Sequence, residues 1–140
     1  MFNKKGFTII ELVVVVTIIS ILGTIGFVSY SSYIADSRDT SRLSQISSIF
    51  KALESYRTKG FLPIPSNKVN IYASGALVAY QGYAGNDVLS AIGYQDKGVD
   101  PKDEFYFTYY LTKDLRTAQL MTLLENEITV SYNFMNQANA

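Results

Sequence analysis

The chain has 140 residues, twelve basic and twelve acidic side chains, and neither Cys nor His; that suffices for an anchor and one small domain but not for two independent cores. The missing Cys excludes disulfides and thiolate sites, and the missing His removes the commonest general base and zinc ligand. Beyond residue 35 ten basic side chains face eleven acidic ones, a mixed surface that gives no basic footprint for nucleic acid but leaves open a local patch in three dimensions.

The first element follows Lys4 and Lys5. Residues 7–28 are almost wholly apolar, and Glu11 is their only charge. The uncharged run over residues 12–35 exceeds the roughly 20 helical residues that cross a bilayer core. Its many β-branched residues favour a strand in water, but a lone strand cannot satisfy its backbone in lipid, so a helix is expected. The two lysines ahead of the span place the N-terminus in the cytoplasm and the remainder outside. A secretory leader shares the basic start, yet this apolar part is long and no small-x-small cleavage site follows it. Glu11 needs its own reading, since a carboxylate at the centre of a membrane helix costs about 2.5–3.5 kcal/mol. It is either a tolerated glutamate near the interface, relieved by snorkelling or protonation, or a charge whose partner arrives when helices pack. Gly23 and Gly26 either permit close helix contact or loosen the segment.

No helix stop follows until Gly60 and Pro63. Leu43, Ile46, Ile49, Phe50, Leu53 and Tyr56 fall on one arc at helical spacing, opposite Ser44, Ser47, Ser48, Lys51, Glu54 and Ser55. Residues 30–42, with Asp36, Ser37, Asp39, Thr40 and Ser41 close together, read either as a solvated stem or as a short break. If continuous, the helix runs from about residue 7 to 59, roughly 80 Å at 1.5 Å per residue.

Residues 69–73 and 77–80 predict short strands of a hairpin turning at Ser74 and Gly75. Asn86 and Asp87 predict the cap of a short helix over residues 88–92, ended by Gly93. Residues 105–111 are the clearest strand, with contact expected on both faces; residues 116–124 fit strand and helix equally. Residues 131–140 end without a finishing signal, as a truncated boundary or a frayed tail. About 80 residues make a marginal core alone, so packing on the helix's apolar arc is expected. Asp96, Asp100, Asp103 and Glu104 read as a solvated polar loop, with weak calcium binding as the alternative, for they match no calcium-loop spacing. Hydroxyl side chains are plentiful, yet without His or Cys a conventional triad is unavailable, and no Ser-x-x-Lys, Gly-x-Ser-x-Gly or P-loop pattern occurs; an Asp/Glu pair for glycoside chemistry stays open, but the domain is small for a substrate cleft, so no enzyme activity, catalytic residue, cofactor or metal is expected.

The combination Lys4-Lys5-Gly6 followed by Phe7-Thr8-Ile9-Ile10-Glu11-Leu12 and an apolar helix resembles the N-terminus of type IV pilins and the pseudopilins of type II secretion and DNA uptake. The likeness covers about a quarter of the chain in detail. It implies an α+β, pilin-like fold: leader 1–6, transmembrane half-helix 7–28, amphipathic continuation 29–59, and a small head domain 60–140, possibly truncated at its C-terminus. It implies cleavage after Gly6 by a prepilin peptidase that also N-methylates Phe7, and a Glu11 that pairs with a Phe7 amine as subunits assemble. The implied partners are that enzyme, membrane lipid and other pilin or pseudopilin subunits, with no direct nucleic-acid binding indicated. The implied place is the bacterial cytoplasmic membrane, single-pass, and an extracytoplasmic or surface filament after assembly. The other reading is a membrane-tethered extracytoplasmic binding module that forms no filament. Many family members carry Pro where this chain has Val28, many adhesive pilins have a cysteine pair that is missing here, and no calcium signature of the major secretion pseudopilin is evident.

Overall fold

A computed structural model describes residues 6–125 and 129–133. One helix, α1 (Ile9–Arg57), is followed by β1 (Ser66–Ala73), β2 (Ala76–Tyr83), the short α2 (Asn86–Ala91), β3 (Thr108–Thr112), β4 (Ala118–Leu123) and β5 (Thr129–Asn133). The chain forms two compact units, Met1–Ser37 and Arg38–Ala140. Residues 30–42 are helical throughout, so the break considered for them does not occur. Phe7 and Thr8 precede the helix, which starts two residues later than expected.

Within the second unit the five strands form one antiparallel sheet in chain order, β1-β2-β3-β4-β5. The expected hairpin is present: Ala73 pairs with Ala76, and Ser74 and Gly75 both take positive φ, of 50° and 80°. Two positive φ values define the turn whose twist suits a two-residue hairpin, and glycine adopts one without steric cost. Gly82 answers a different need. A Cβ there would stand 2.4 Å from the Ser66 carbonyl oxygen and 2.8 Å from Pro65 Cβ.

The expected arc of α1 is the one that packs. Ile46, Ile49, Phe50 and Leu53 are buried against Tyr109 and Leu111 of β3, Ala118 and Leu120 of β4, Val88 and Leu89 of α2, and Leu62 and Phe107. Tyr109 is fully buried; its hydroxyl donates to the Pro63 carbonyl at 3.1 Å, and burial pushes its phenol pKa up. Residues 118–123 resolve to strand, because pairing with β3 on one side and β5 on the other supplies the hydrogen bonds that a helix would supply locally. The strand expected over residues 105–111 begins only at Thr108, and it alternates between buried Tyr109 and Leu111 and half-buried neighbours. The helix expected from Asn86 and Asp87 forms, but its cap is Gly85 with no side-chain cap bond, and Gly93 closes it at a φ of 74°. Part of the tail beyond residue 131 belongs to β5, whose Tyr132 ring packs 5.6 Å from that of Phe50; residues 134–140 lie outside the described residues.

Asp100 is not the solvated-loop residue expected. Arg42, 2% exposed, donates to both its carboxylate oxygens, Nε to Oδ2 at 2.6 Å and Nη2 to Oδ1 at 3.0 Å. Arg42 Nη1 also donates to Asp39 at 2.5 Å and reaches Glu125 at 3.4 Å. Arg38 donates to both oxygens of Glu125, and the Glu125 N–H donates to both oxygens of Asp39. Burial would raise the Asp100 carboxyl, but bonds from Arg42 and from the N–H groups of Lys102 and Asp103 outweigh it and hold the group below its ordinary 3.8. The Arg38 guanidinium hydrogen-bonded to Glu125 lowers that carboxyl from 4.5 to about 2.

Both carboxyls have depressed folded values, so the stability they contribute is complete above pH ~4.5 and is lost as pH falls toward 2. Thermal unfolding of the detergent-solubilised chain is expected to show this loss between those limits, and a shallower one in Glu125→Gln. Arg42→Ala leaves Asp39 and Asp100 without their cation and is expected to destabilise this unit by about 3–5 kcal/mol in denaturant unfolding. Gly82→Ala is expected to cost about 1–3 kcal/mol by the same measurement, because the added Cβ meets backbone and proline atoms.

Candidate functional site

The first unit carries the residues singled out at the N-terminus. Thr8 ends the extended lead-in and accepts the first helical bond, from the Leu12 N–H to its carbonyl at 3.1 Å. Glu11, three residues on, turns back. Its Oε2 accepts from the Thr8 N–H at 2.8 Å and the Thr8 hydroxyl at 2.7 Å, while the Glu11 N–H donates to Thr8 Oγ1 at 3.3 Å. This reciprocal arrangement is a capping box, which satisfies helix-terminal N–H groups that have no partner within the helix. The isolated carboxylate of Glu11 therefore has a local partner in Thr8, one that neither charge nor hydropathy points to. The Thr-x-x-Glu spacing of Thr8 and Glu11, placed directly before an apolar run, was the signal that would have found it.

Downstream, several hydroxyls are tied to a carbonyl about one turn earlier. Thr17 donates to Val13 at 2.8 Å, Ser20 to Val16 at 2.8 Å and Thr24 to Ser20 at 2.9 Å. Ser31 and Ser32 both donate to the Val28 carbonyl, at 2.9 and 3.3 Å. Such back-bonding lets hydroxyls sit in hydrocarbon without an unmet donor. The most apolar 18-residue window of α1 has a mean hydropathy of 2.5 and no buried residue, so the helix is long and apolar enough to cross a membrane. Its large side chains, among them Ile10, Leu12, Ile19, Leu22, Ile25 and Phe27, are exposed. A helix apolar on every face suits lipid or the company of other helices, not water.

Gly6 and Phe7 lie just ahead of the capping box, both exposed. Nothing stands within 4 Å of a Cβ built on Gly6, Gly23 or Gly26. Packing within the chain therefore demands glycine at none of the three. Lys4 and Lys5 lie outside the described residues. Elsewhere, the acidic residues near Gly98 divide: Asp100 is committed to Arg42, while Asp96, Asp103 and Glu104 are exposed. Among the described residues no group of three or more His, Cys, Asp or Glu is placed to hold a metal ion.

Comparison with curated proteins and with solved structures gives no match for the chain. The family model described as the prokaryotic N-terminal methylation motif matches residues 1–27, the stretch that holds Gly6, Phe7, the capping box and the start of the apolar helix. Such a motif implies processing by a peptidase and methyltransferase. The chain thus carries an N-terminal class III prepilin methylation motif on a helix suited to membrane anchoring, consistent with the pilin and pseudopilin family and with a pilin-like structural role.

Proposed function

We propose that the protein is a structural subunit of a type IV pilus or pseudopilus. In this reading residues 1–6 are a leader removed after Gly6, residues 7–28 are the lipid-embedded half of the helix, residues 29–59 continue it, and residues 60–140 are the head. Phe7 becomes the N-methylated terminus, and Lys4 and Lys5 orient the precursor with that end in the cytoplasm.

The observation that carries the reading is the direction of Glu11. Its carboxylate points back past the first turn and accepts the Thr8 N–H at 2.8 Å. The Phe7 nitrogen is one residue from that donor, and consecutive Cα atoms stand about 3.8 Å apart. Before cleavage this nitrogen is a neutral amide; cleavage after Gly6 makes it an ammonium beside a carboxylate. An ionised donor on an ionised acceptor roughly doubles the strength of a hydrogen bond, and removal of water strengthens the pair further. The same ammonium on a neighbouring subunit competes for the same carboxylate. Assembly then exchanges the local Thr8 bonds for a charged pair between subunits, and the helix leaves lipid for a bundle of like helices. Cleavage also deletes Lys4 and Lys5, two charges that resist withdrawal through hydrocarbon. The open space around Gly6 fits a glycine required by the processing enzyme rather than by the fold.

Mass spectrometry of the membrane-derived protein should find an N-methylated Phe7 terminus, and Gly6→Val should retain Met1 without loss of folded head; an intact Met1 in the native protein would refute the processing site. Glu11→Val should leave the membrane-inserted level unchanged, because losing the charge eases insertion, yet lower filament yield at least about tenfold. Normal filament yield in that variant, or no filament from the native protein in any isolation, would favour a tethered module.

A further inference from the structure

The sheet of the second unit has a face that the core does not use. Tyr109 and Leu111 of β3 and Ala118 and Leu120 of β4 are buried, so the alternating Thr108, Tyr110 and Gln119 stand on the other side, half-buried. Register carries this face across the strands: Val69 pairs with Gln81, Gln81 with Tyr110 and Tyr110 with Gln119, while Tyr83 pairs with Thr108. Paired residues share a face, and none of these side chains is charged.

A bulge opens a groove at one side of it. The β1–β2 register slips between Ser66 and Val69, with Asn67 at a φ of 51°, a device that bends a strand and re-aims its side chains. Beside the slip lies an open groove of about 250 Å³, lined by Asn67, Val69, Gln81, Gly82, Tyr83 and Thr108, with no charged side chain among them. The cation of the bulge is held elsewhere: the Lys68 amine stands 4.9 Å from the centre of the Tyr80 ring, and Tyr80 pairs with Leu111 on the core face. Tyr83 is 45% exposed. Among the described residues the amides of Asn67, Gln81 and Gln119 and the hydroxyls of Tyr83, Thr108 and Tyr110 have no hydrogen-bond partner, so they are available to a ligand.

We infer that this groove binds a sugar unit of a neutral polysaccharide, with adjoining units lying along the row toward Tyr110 and Gln119, a function separate from processing and assembly at residues 6–11. An uncharged lining has nothing to offset the lost hydration of a charged ligand. A purely apolar partner would strand the amides and hydroxyls without bonds. A sugar meets both demands, for its hydroxyls donate and accept as a side-chain amide does, and its C–H face lies on a Tyr ring whose polar tip still bonds. The groove is smaller than the roughly 300–1,000 Å³ that encloses a drug-sized ligand, which suits one unit of a longer chain.

The test uses the full-length chain in a polyoxyethylene detergent, which has no sugar head group, and is independent of filament formation. Binding to immobilised hydroxyethylcellulose, galactomannan and dextran is measured by biolayer interferometry. At least one of them should bind, equally at low and high ionic strength, because no charge takes part. The double variant Gln81→Ala with Tyr83→Ala should weaken that binding at least about tenfold, since a stacked ring and a bonded amide are lost. Gln81→Glu, isosteric at an exposed position and so without cost to the fold, should weaken it at least about threefold by exchanging two donors for a charge. Tyr72→Ala, which removes a more exposed ring from β1, should change nothing. No binding to any of the polysaccharides, binding abolished by salt, equal loss in Tyr72→Ala, or no loss in both Gln81 variants would each overturn the assignment. So would self-association of the native chain that the double variant abolishes while no polysaccharide binds, which would give the face to a second copy.

Discussion

Arg42 is the joint of the second unit. One guanidinium touches Asp39 on its own helix, Asp100 on the long connection between α2 and β3, and Glu125 after β4. Ion pairs of this depth add little net stability over well-packed apolar side chains, because both partners lose water. What they add is register. An apolar contact tolerates sliding, whereas a two-point bond from Arg42 to Asp100 and a backbone N–H from Glu125 to Asp39 allow one arrangement. The apolar arc of Ile46, Ile49, Phe50 and Leu53 then meets Tyr109, Leu111 and Leu120 in a single alignment.

The same helix solves two solvation problems with different chemistry. In its apolar stretch, Thr17, Ser20 and Thr24 are permitted because each hydroxyl bonds a carbonyl about one turn back, and the helix satisfies its own backbone. From residue 38 on, the charged side chains Arg38, Asp39 and Arg42 are permitted because they find partners distant in sequence. The first solution is local and survives in any environment. The second exists only when the sheet and its connections are folded. A carboxylate placed in the first region must likewise find a local partner or acquire one, and Glu11 has Thr8.

That arrangement gives the methylation motif physical content. Thr8 both starts the helix and holds Glu11 turned back toward Phe7, the residue that the proposed cleavage would expose. The capping box is a neutral-donor bond set, weaker than the charged pair available once an amine exists at Phe7.

Much of this was legible in the amino-acid order, wherever the signal is short-range. The apolar run, the Gly6-Phe7 junction, the early Glu11, the arc on α1, and the Ser74-Gly75 turn all depend on neighbours within a few residues. The Thr8–Glu11 box was legible too, in a spacing of three. Less legible were the strand at 118–123, where propensity is balanced and pairing with β3 and β5 decides, and β5 itself, five residues with no turn signal before it.

By itself the sequence determined an N-terminal membrane helix with a processing motif and an α+β plan behind it, because hydrophobicity, caps and turns act over one or two turns of chain. Only the tertiary structure decided that Asp100 is a half-buried partner of Arg42 rather than a solvated loop acid, and that Arg57, Lys59 and Arg116 share one basin. Both facts join residues 58 positions or about that many apart, and the energy that selects such pairs appears only after the core has brought them within reach.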